Sequence, residues 1–468
     1  MSTVSTLGEA KPNRRLVIVV RADPVICGHS GEARNLAEAA LNRGYDDVRI
    51  VTWPIEALSA LPLKPLDSVL PYSPGITVER PAPVGDYKVP DGRYLAGMVG
   101  RLVELFTDGV PTVCLSLYLT PHANAVNEAL SIARQMGVPV DVTTVAEAVG
   151  SDITNVVRSC VAEGNYGAAA SVLVTYLAHD RCVAVSEYTK ELIVAAAQSV
   201  DDALGTDFAR RCTDRVRISY PAVNTETFTD IDPRHLDAAL AARGLTVDGY
   251  ALFLSRITPA KGVTDLIEGY LRSEAKDEVR LVIAGTGVGR EDALAQARAS
   301  GLRSRIIFLD DVDDDEKRLL MAGAAAYALP SKPMPEFVET FGIALVEKML
   351  AGGGPVITTT TGGIPEAVGD TALIVKPGCP DEIAAALDTA VLQTGAAARA
   401  EAEAAARAYA MQFDRQEVFD RLFAGLGGPA PVSIEVTSGH DRVEVAIDMS
   451  KPAPSYAVVA PADQVAVA

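Results

Sequence analysis

The 468-residue sequence is poor in aromatic side chains, at 5%, and Trp53 is its single tryptophan. That leaves little with which to build extended stacking platforms for bases or carbohydrates. Positive charge is also short, since 42 Lys and Arg stand against 61 Asp and Glu, a net charge of −19. Such a chain repels a phosphate backbone over most of its surface, which argues against nucleic acid as a partner. A phosphate-bearing ligand must instead find a local cluster of basic side chains. No apolar run approaches the ~18 residues that cross a bilayer. The opening residues have neither the charged start nor the apolar core of a signal peptide. The cysteines at positions 27, 114, 160, 182, 212 and 379 form no C-x-x-C pair and no zinc spacing, and the histidines at 29, 122, 179, 235 and 440 are too scattered for a local metal motif. The expectation is a cytoplasmic protein with reduced core cysteines, no metal and no integral membrane segment.

What is present is an α/β rhythm. At roughly 150 residues per domain the length predicts two or three domains, and 49% hydrophobic with 22% charged residues is ordinary for a globular chain. Leu16-Val17-Ile18-Val19-Val20 is β-branched and does not alternate, the mark of a parallel strand buried on both faces. A helix over 32–41 and a strand over 48–52 complete a βαβ unit. The Pro-rich stretch 53–90 reads as an insertion. Alternation resumes with helices near 97–107 and 123–136 and strands at 112–117 and 138–143. It continues with a strand at 182–186, a helix at 187–197 and a strand at 216–219. A polar helical stretch at 230–247 precedes a second cycle, whose strands fall at 250–254, 280–284, 306–309, 326–329, 356–358 and 372–375. Helices intervene, and those over 381–412 and 415–423 close the cycle. This predicts two doubly wound, Rossmann-like domains facing across a cleft, with ligands at the carboxyl ends of their strands. The expected organisation is a flexible leader 1–13, a first domain 14–240, a second domain 241–410, a closing helix 411–428 and a tail 429–468. The tail reads as largely disordered, with a hairpin of 433–436 on 443–447 as the alternative.

The densest chemical signal runs from Pro330 to Glu366. Glu339 and Glu347 are eight residues apart, the first in a loop and the second one turn into a helix that begins near Ile343. Both carboxylates can accept hydrogen bonds from sugar hydroxyls at the mouth of the sheet. The backbone N–H groups of Phe341, Gly342 and Ile343 are free at such a helix start. Upstream, Ser255-Arg256-Ile257-Thr258-Pro259-Ala260-Lys261-Gly262 follows the first strand of the second domain. The Arg256 fork and the compact Lys261 ammonium can neutralise a diphosphate and stabilise it as a leaving group. Gly285-Thr286-Gly287-Val288-Gly289 imitates a dinucleotide loop, but Arg290 stands where the third glycine belongs, so NAD binding is excluded. The acid run Asp310–Glu316 reads as a turn and helix N-terminus. In the first domain, Gly28 and Gly31 sit between strand and helix, where small residues admit an anionic ligand. His122 follows a strand and faces the cleft.

Taken together, these segments resemble family 4 retaining glycosyltransferases of the GT-B fold, including sucrose-phosphate-synthase-like and mycothiol-pathway members. The family carries Glu-Gly-Phe-Gly-(Leu/Ile)-x-x-x-Glu-Ala-Met-Ala followed by Gly-Gly-Ile-Pro-Glu; this chain departs with Thr340 and Lys348 and adds Gly352-Gly353-Gly354 before Pro355. The resemblance spans residues 14–425 and is strongest in the second half. It implies GT-B architecture, with Glu339 against the donor sugar, Glu347 on the ribose hydroxyls, and Arg256 and Lys261 on the diphosphate. It further implies that Gly285 shapes the nucleotide end of the cleft, that Gly28 and Gly31 lie near donor phosphate and acceptor, and that His122 lies near the reacting carbon. The second histidine of those relatives is absent from Thr143–Gly150. The reading is a retaining transferase using a UDP- or GDP-sugar, a small soluble acceptor and no cofactor, with a homodimer left open. A nucleotide-sugar-binding or regulatory protein that has lost transfer is the alternative.

Overall fold

The computed structural model describes residues 14–58, 63–85, 90–335, 337–426, 432–438 and 441–447. Two parallel sheets organise residues 14–422. The first contains β1 (Arg15–Val19), β2 (Asp47–Val51), β3 (Ile76–Glu79), β4 (Thr112–Leu117), β5 (Val142–Ala148), β6 (Arg181–Ala184) and β7 (Val216–Ile218), in the order β3-β2-β1-β4-β5-β6-β7. The second contains β8 (Tyr250–Leu254), β9 (Arg280–Ala284), β10 (Ile306–Leu309), β11 (Ala326–Leu329), β12 (Val356–Thr358) and β13 (Leu373–Ile374), in the order β10-β9-β8-β11-β12-β13. Every pairing in both sheets is parallel, and helices cover both faces, so Leu16 to Val19 and Tyr250 to Phe253 are fully buried. That is why these strands carry unbroken apolar runs rather than alternation. In each sheet the strand order reverses beside the first strand, between β1 and β4 and between β8 and β11. Crevices for ligands open outside the carboxyl ends at such reversals.

Three expectations need correcting. The supposed insertion 53–90 contains β3, which pairs with β2 as a four-residue, partly exposed edge strand. Its brevity and flanking prolines hid it. The strand expected at 138–143 lies instead at Val142–Ala148. Gly137 (φ 71°) stops the preceding helix, and Pro139 has no N–H to give a ladder, so 137–139 stay exposed while 144–150 are buried. The helices Arg158–Ala162, Tyr166–Leu177 and Phe208–Arg215 were not anticipated.

Within 429–468, Val432–Ser438 and Asp441–Ile447 form an antiparallel hairpin, with Val436 opposite Val443, where the sequence pointed first to disorder. The valine and isoleucine alternation along both segments fits this pairing. The rest of that stretch and the leader 1–13 lie outside the described residues.

Candidate active site

Four loops leave the carboxyl ends of β1, β4, β8 and β11, and they carry nearly all the chemistry. The loop after β8 holds Arg256 and Lys261, where Gly262 (φ 72°) presses so closely on Pro330 that a side chain at that position would meet its carbonyl. The loop after β11 runs to Gly342 (φ 104°), which starts the helix Ile343–Ala351. Lys261 is buried and forms an ion pair with Glu339. Lys317, at the far end of the acid run, holds Glu347 at 2.7 Å. Phe337 lies beneath both cations, its ring centroid 5.0 Å from the Lys261 ammonium and 5.9 Å from the Arg256 guanidinium. Arg256 itself is exposed and makes no hydrogen bond or ion pair among the described residues. The N–H groups of Phe341, Gly342 and Ile343 likewise have no partner in the chain among the described residues. The Phe341 side chain, however, is buried, stacked at 5.4 Å on Tyr220 and edge-on to Phe413, so only its backbone can meet a ligand. Gly285 (φ 133°) lies where any Cβ would come within 2.1 Å of the Ser255 carbonyl, and its role is to let the loop after β9 pack against the segment bearing Arg256.

The acid run behaves as expected. Asp313 caps the helix Asp314–Gly323 by accepting the Glu316 N–H at 2.8 Å.

On the first-domain side, Cys27 caps the helix Gly28–Asn42. Gly28 faces Ile343 across the cleft, its hydrogen aimed where a Cβ would stand 3.0 Å from the Ile343 methyl. At Gly31, by contrast, an added Cβ would meet nothing within 4 Å beyond its own helix among the described residues. His122 is buried at 2% exposure and its Nε2 accepts the Trp53 indole N–H at 3.2 Å. An indole nitrogen only donates, so the neutral imidazole carries its proton on Nδ1, and that N–H has no partner among the described residues. Burial, reinforced by the charge of Arg21, lowers the His122 pKa to about 3. His29 is lowered to about 4 by burial and by Arg256. Both imidazoles are therefore neutral, and His122 is a hydrogen-bond donor rather than a base. Tyr118 lies between them, with ring centroids 6.2 and 6.0 Å away. Its φ of 112° is a left-handed conformation that costs a non-glycine residue about 1–3 kcal/mol.

Below this surface Glu32 and Glu147 form a buried carboxyl pair. Burial raises both pKa values, Glu32 to about 7, and the Glu147 oxygens have no hydrogen-bond donor among the described residues. Glu32 Oε1 accepts the Ala222 N–H at 3.3 Å, in the segment that leads from the first sheet to the second, and Oε2 has no partner among the described residues. Asp152, raised to about 6 by burial, accepts the N–H groups of Leu119, Val149, Gly150 and Ile153 and so binds the loop after β4 to the loop after β5.

Among the described residues, the polar contacts that join the two halves include those of Thr340, Lys64 and Glu366. Thr340 Oγ1 donates to the Val149 carbonyl at 3.1 Å. Lys64 bonds Asp314 at 2.7 Å. Glu366 accepts the N–H groups of Glu187 and Tyr188, at 2.7 and 3.2 Å, and thereby caps the helix Glu187–Leu204 from the other domain. The structure thus gathers Arg256, Lys261, Glu339, Glu347, Gly342, Ile343, Gly28 and His122 at the two strand-order reversals. Sequence reasoning missed Lys317, Phe337, Tyr118 and the Glu32–Glu147 pair. Only Lys317 had a visible signal, as the first cation after the acid run. Among the described residues no group of three or more His, Cys, Asp or Glu side chains is placed to hold a metal, and no helix is long and apolar enough to cross a membrane.

Comparison with known proteins gives this arrangement its class. Solved structures of 12–18% identity share the fold, which is GT-B, two Rossmann-like domains about a cleft. HepE of Anabaena in complex with UDP and glucose superposes with a TM-score of 0.63 at 18% identity, over 88% of this chain and 98% of its own. WaaG, a glycosyltransferase involved in lipopolysaccharide biosynthesis, superposes at 0.57 with 16% identity, over 88% of this chain and 100% of its own. Residues 245–408 match the family Glycosyl transferases group 1. O-antigen chain mannosyltransferase B of Escherichia coli is 30% identical over 192 residues, which is 38% of this chain and 48% of that protein. D-inositol 3-phosphate glycosyltransferase of Mycobacterium leprae is 33% identical over 220 residues, 45% of this chain and 48% of that protein. The chain spans about half the length of the curated relatives it matches.

Proposed function

We propose that this protein is a retaining, family 4 type glycosyltransferase that moves a sugar from a nucleoside-diphosphate sugar to a small soluble acceptor in the cytoplasm. The observation that carries this reading is the cation set at the exits of β8 and β11. Arg256 has no ion-pair partner there among the described residues, Lys261 is buried beside Glu339, and Lys317 orients Glu347. In this assignment Arg256 and Lys261 take the diphosphate, Glu347 the ribose and Glu339 the sugar ring. Two cations and a row of free backbone N–H groups stabilise the departing diphosphate, so the reaction needs no metal and no other cofactor.

Glu339 is tied to a lysine and is not placed as a free nucleophile. Retention is then achieved by substitution on one face, the acceptor oxygen bonding to the anomeric carbon as the phosphate oxygen leaves and takes its proton. His122 donates its Nδ1–H to a hydroxyl near that carbon rather than removing a proton. The solved relatives bound to UDP and UDP-glucose support a UDP-sugar donor, with GDP-sugar next. The mycobacterial relative, named for a polyol phosphate, supports a small acceptor.

The test is a panel of UDP-, GDP- and ADP-sugars, scored by thermal shift and by slow donor hydrolysis. One nucleotide series should stabilise the protein and be hydrolysed; stabilisation by none would overturn the reading.

A further inference from the structure

Thr340 stands where the resembled motif has glycine, and the structure gives that side chain a task. Behind it, the second domain clamps the Glu339–Thr340 backbone. The Gly363 N–H donates to the Glu339 carbonyl at 3.0 Å, and a Cβ on Gly362 or Gly363 would fall 2.0 Å from the Glu339 or Thr340 carbonyl oxygen. In front, the side chain enters the first domain. Its hydroxyl bonds Val149, and its methyl occupies the space over Gly150, where a Cβ would come within 2.1 Å of it. Gly150 has a φ of 104°, so this seat is fixed by backbone as well as by size. Asp152 holds the seat and the loop beginning at Leu119 through the same carboxylate, so the grip continues to the segment of Tyr118 and His122.

We infer that Thr340 is a positioning residue: it sets the register of the Glu339 carboxylate against the first-domain half of the cleft. The inference rests on the transferase reading above. A glycine in its place keeps the donor loop clamped to the second domain but leaves it unregistered against the first. Nucleotide binding, for which Arg256, Lys261 and Glu347 of the second domain are assigned above, should then largely survive, while the step that needs both halves should slow. A displacement of about 1 Å at a reacting centre is enough to cost up to about a hundredfold in rate.

The experiment uses the full chain and whichever of UDP-glucose and GDP-mannose the wild type hydrolyses, with water taking the acceptor's place. Calorimetry with UDP or GDP runs in parallel. T340G and T340V should lower kcat for hydrolysis by about tenfold or more while nucleotide affinity stays within about twofold. T340S, which keeps the hydroxyl, should retain most of the rate. T340V preserves the packing on Gly150, so its loss cannot be assigned to a collapsed loop. Wild-type kcat in T340G, or a fall in nucleotide affinity as large as the fall in kcat, overturns the positioning role. A wild type that binds neither UDP nor GDP overturns the functional reading itself, a result distinct from normal binding with an unaffected T340G.

Discussion

The two halves of the cleft solve the problem of buried charge in opposite ways. On the second-domain side each carboxylate is matched to a lysine, Glu339 to Lys261 and Glu347 to Lys317. On the first-domain side Asp23 is likewise paired, with Arg34, but four other ionisable groups are pushed toward neutrality: His29 and His122 have lost their protons, and burial raises the pKa values of Glu32 and Glu147. A paired site can exchange its partners for a ligand's charges at little cost, since the lysine that holds Glu339 can turn to a phosphate. A neutralised site offers hydrogen bonds without net charge, which suits hydroxyl groups. The contrast places charge stabilisation on one domain and recognition of uncharged groups on the other.

The largest expected break in this contrast is K261A. It should reduce turnover by about a hundredfold or more with the fold intact, because it removes leaving-group stabilisation and leaves the part-buried Glu339 without its ion-pair partner. Retention of most wild-type turnover in a steady-state assay would contradict the diphosphate assignment. The two glutamates should then separate. Glu347→Gln removes a contact made equally in ground and transition states, so calorimetry should show weaker binding of the free nucleoside diphosphate. Glu339→Gln faces a sugar that the free diphosphate lacks, so it should spare that affinity and depress the rate. Equal losses of affinity in the two variants would refute the division.

A smaller effect concerns the neutral side. A carboxyl pKa raised in the folded state means that the folded protein holds a proton the unfolded chain has released. Stability is then full below the unfolded value near 4.5 and falls as pH rises through the folded value of about 7. Glu32→Gln, which is neutral at every pH, should match the wild type at about pH 4 and exceed its Tm at about pH 8. Parallel Tm–pH curves for the two proteins would show that the pair is not protonated. Smallest of all, excess EDTA should leave donor hydrolysis unchanged; loss restored by Mg²⁺ or Mn²⁺ would place a metal where Arg256 and Lys261 are assigned.

The same contrast explains what could be read from sequence. The donor half is built from residues close together along the chain, Arg256 with Lys261 and Glu339 with Glu347, each on a short loop between an apolar strand and a helix. Short-range spacing therefore carries the geometry, and the strands β8 to β11 fell where their apolar runs placed them. The first-domain half depends on contacts between distant segments. Glu32 meets Glu147, and Trp53 fixes the tautomer of His122, without any local pattern to announce either. The misplacement of β5 had the same root: Thr143 to Glu147 is polar enough to read as a loop until burial of Glu147 in its neutral form is known. The surroundings of Lys348, a departure from the resembled motif, likewise had no local pattern to announce them. It is in fact buried, bonded to the Met321 and Gly352 carbonyls, with its pKa lowered to about 7 by burial.

The cap that Glu366 places on the helix Glu187–Leu204 gives the molecule a built-in gauge. The amides of Glu187 and Tyr188 have no other acceptor among the described residues, so each is protected from exchange with solvent only while the two halves are together. Every excursion that parts the domains uncovers these two protons at once, whatever happens in the core of either sheet. Their deuterium uptake, measured against that of the Thr189 amide, which keeps its bond to Ser186 within the first domain, therefore counts openings of the cleft. A nucleotide that closes the cleft would slow that clock without touching the helix.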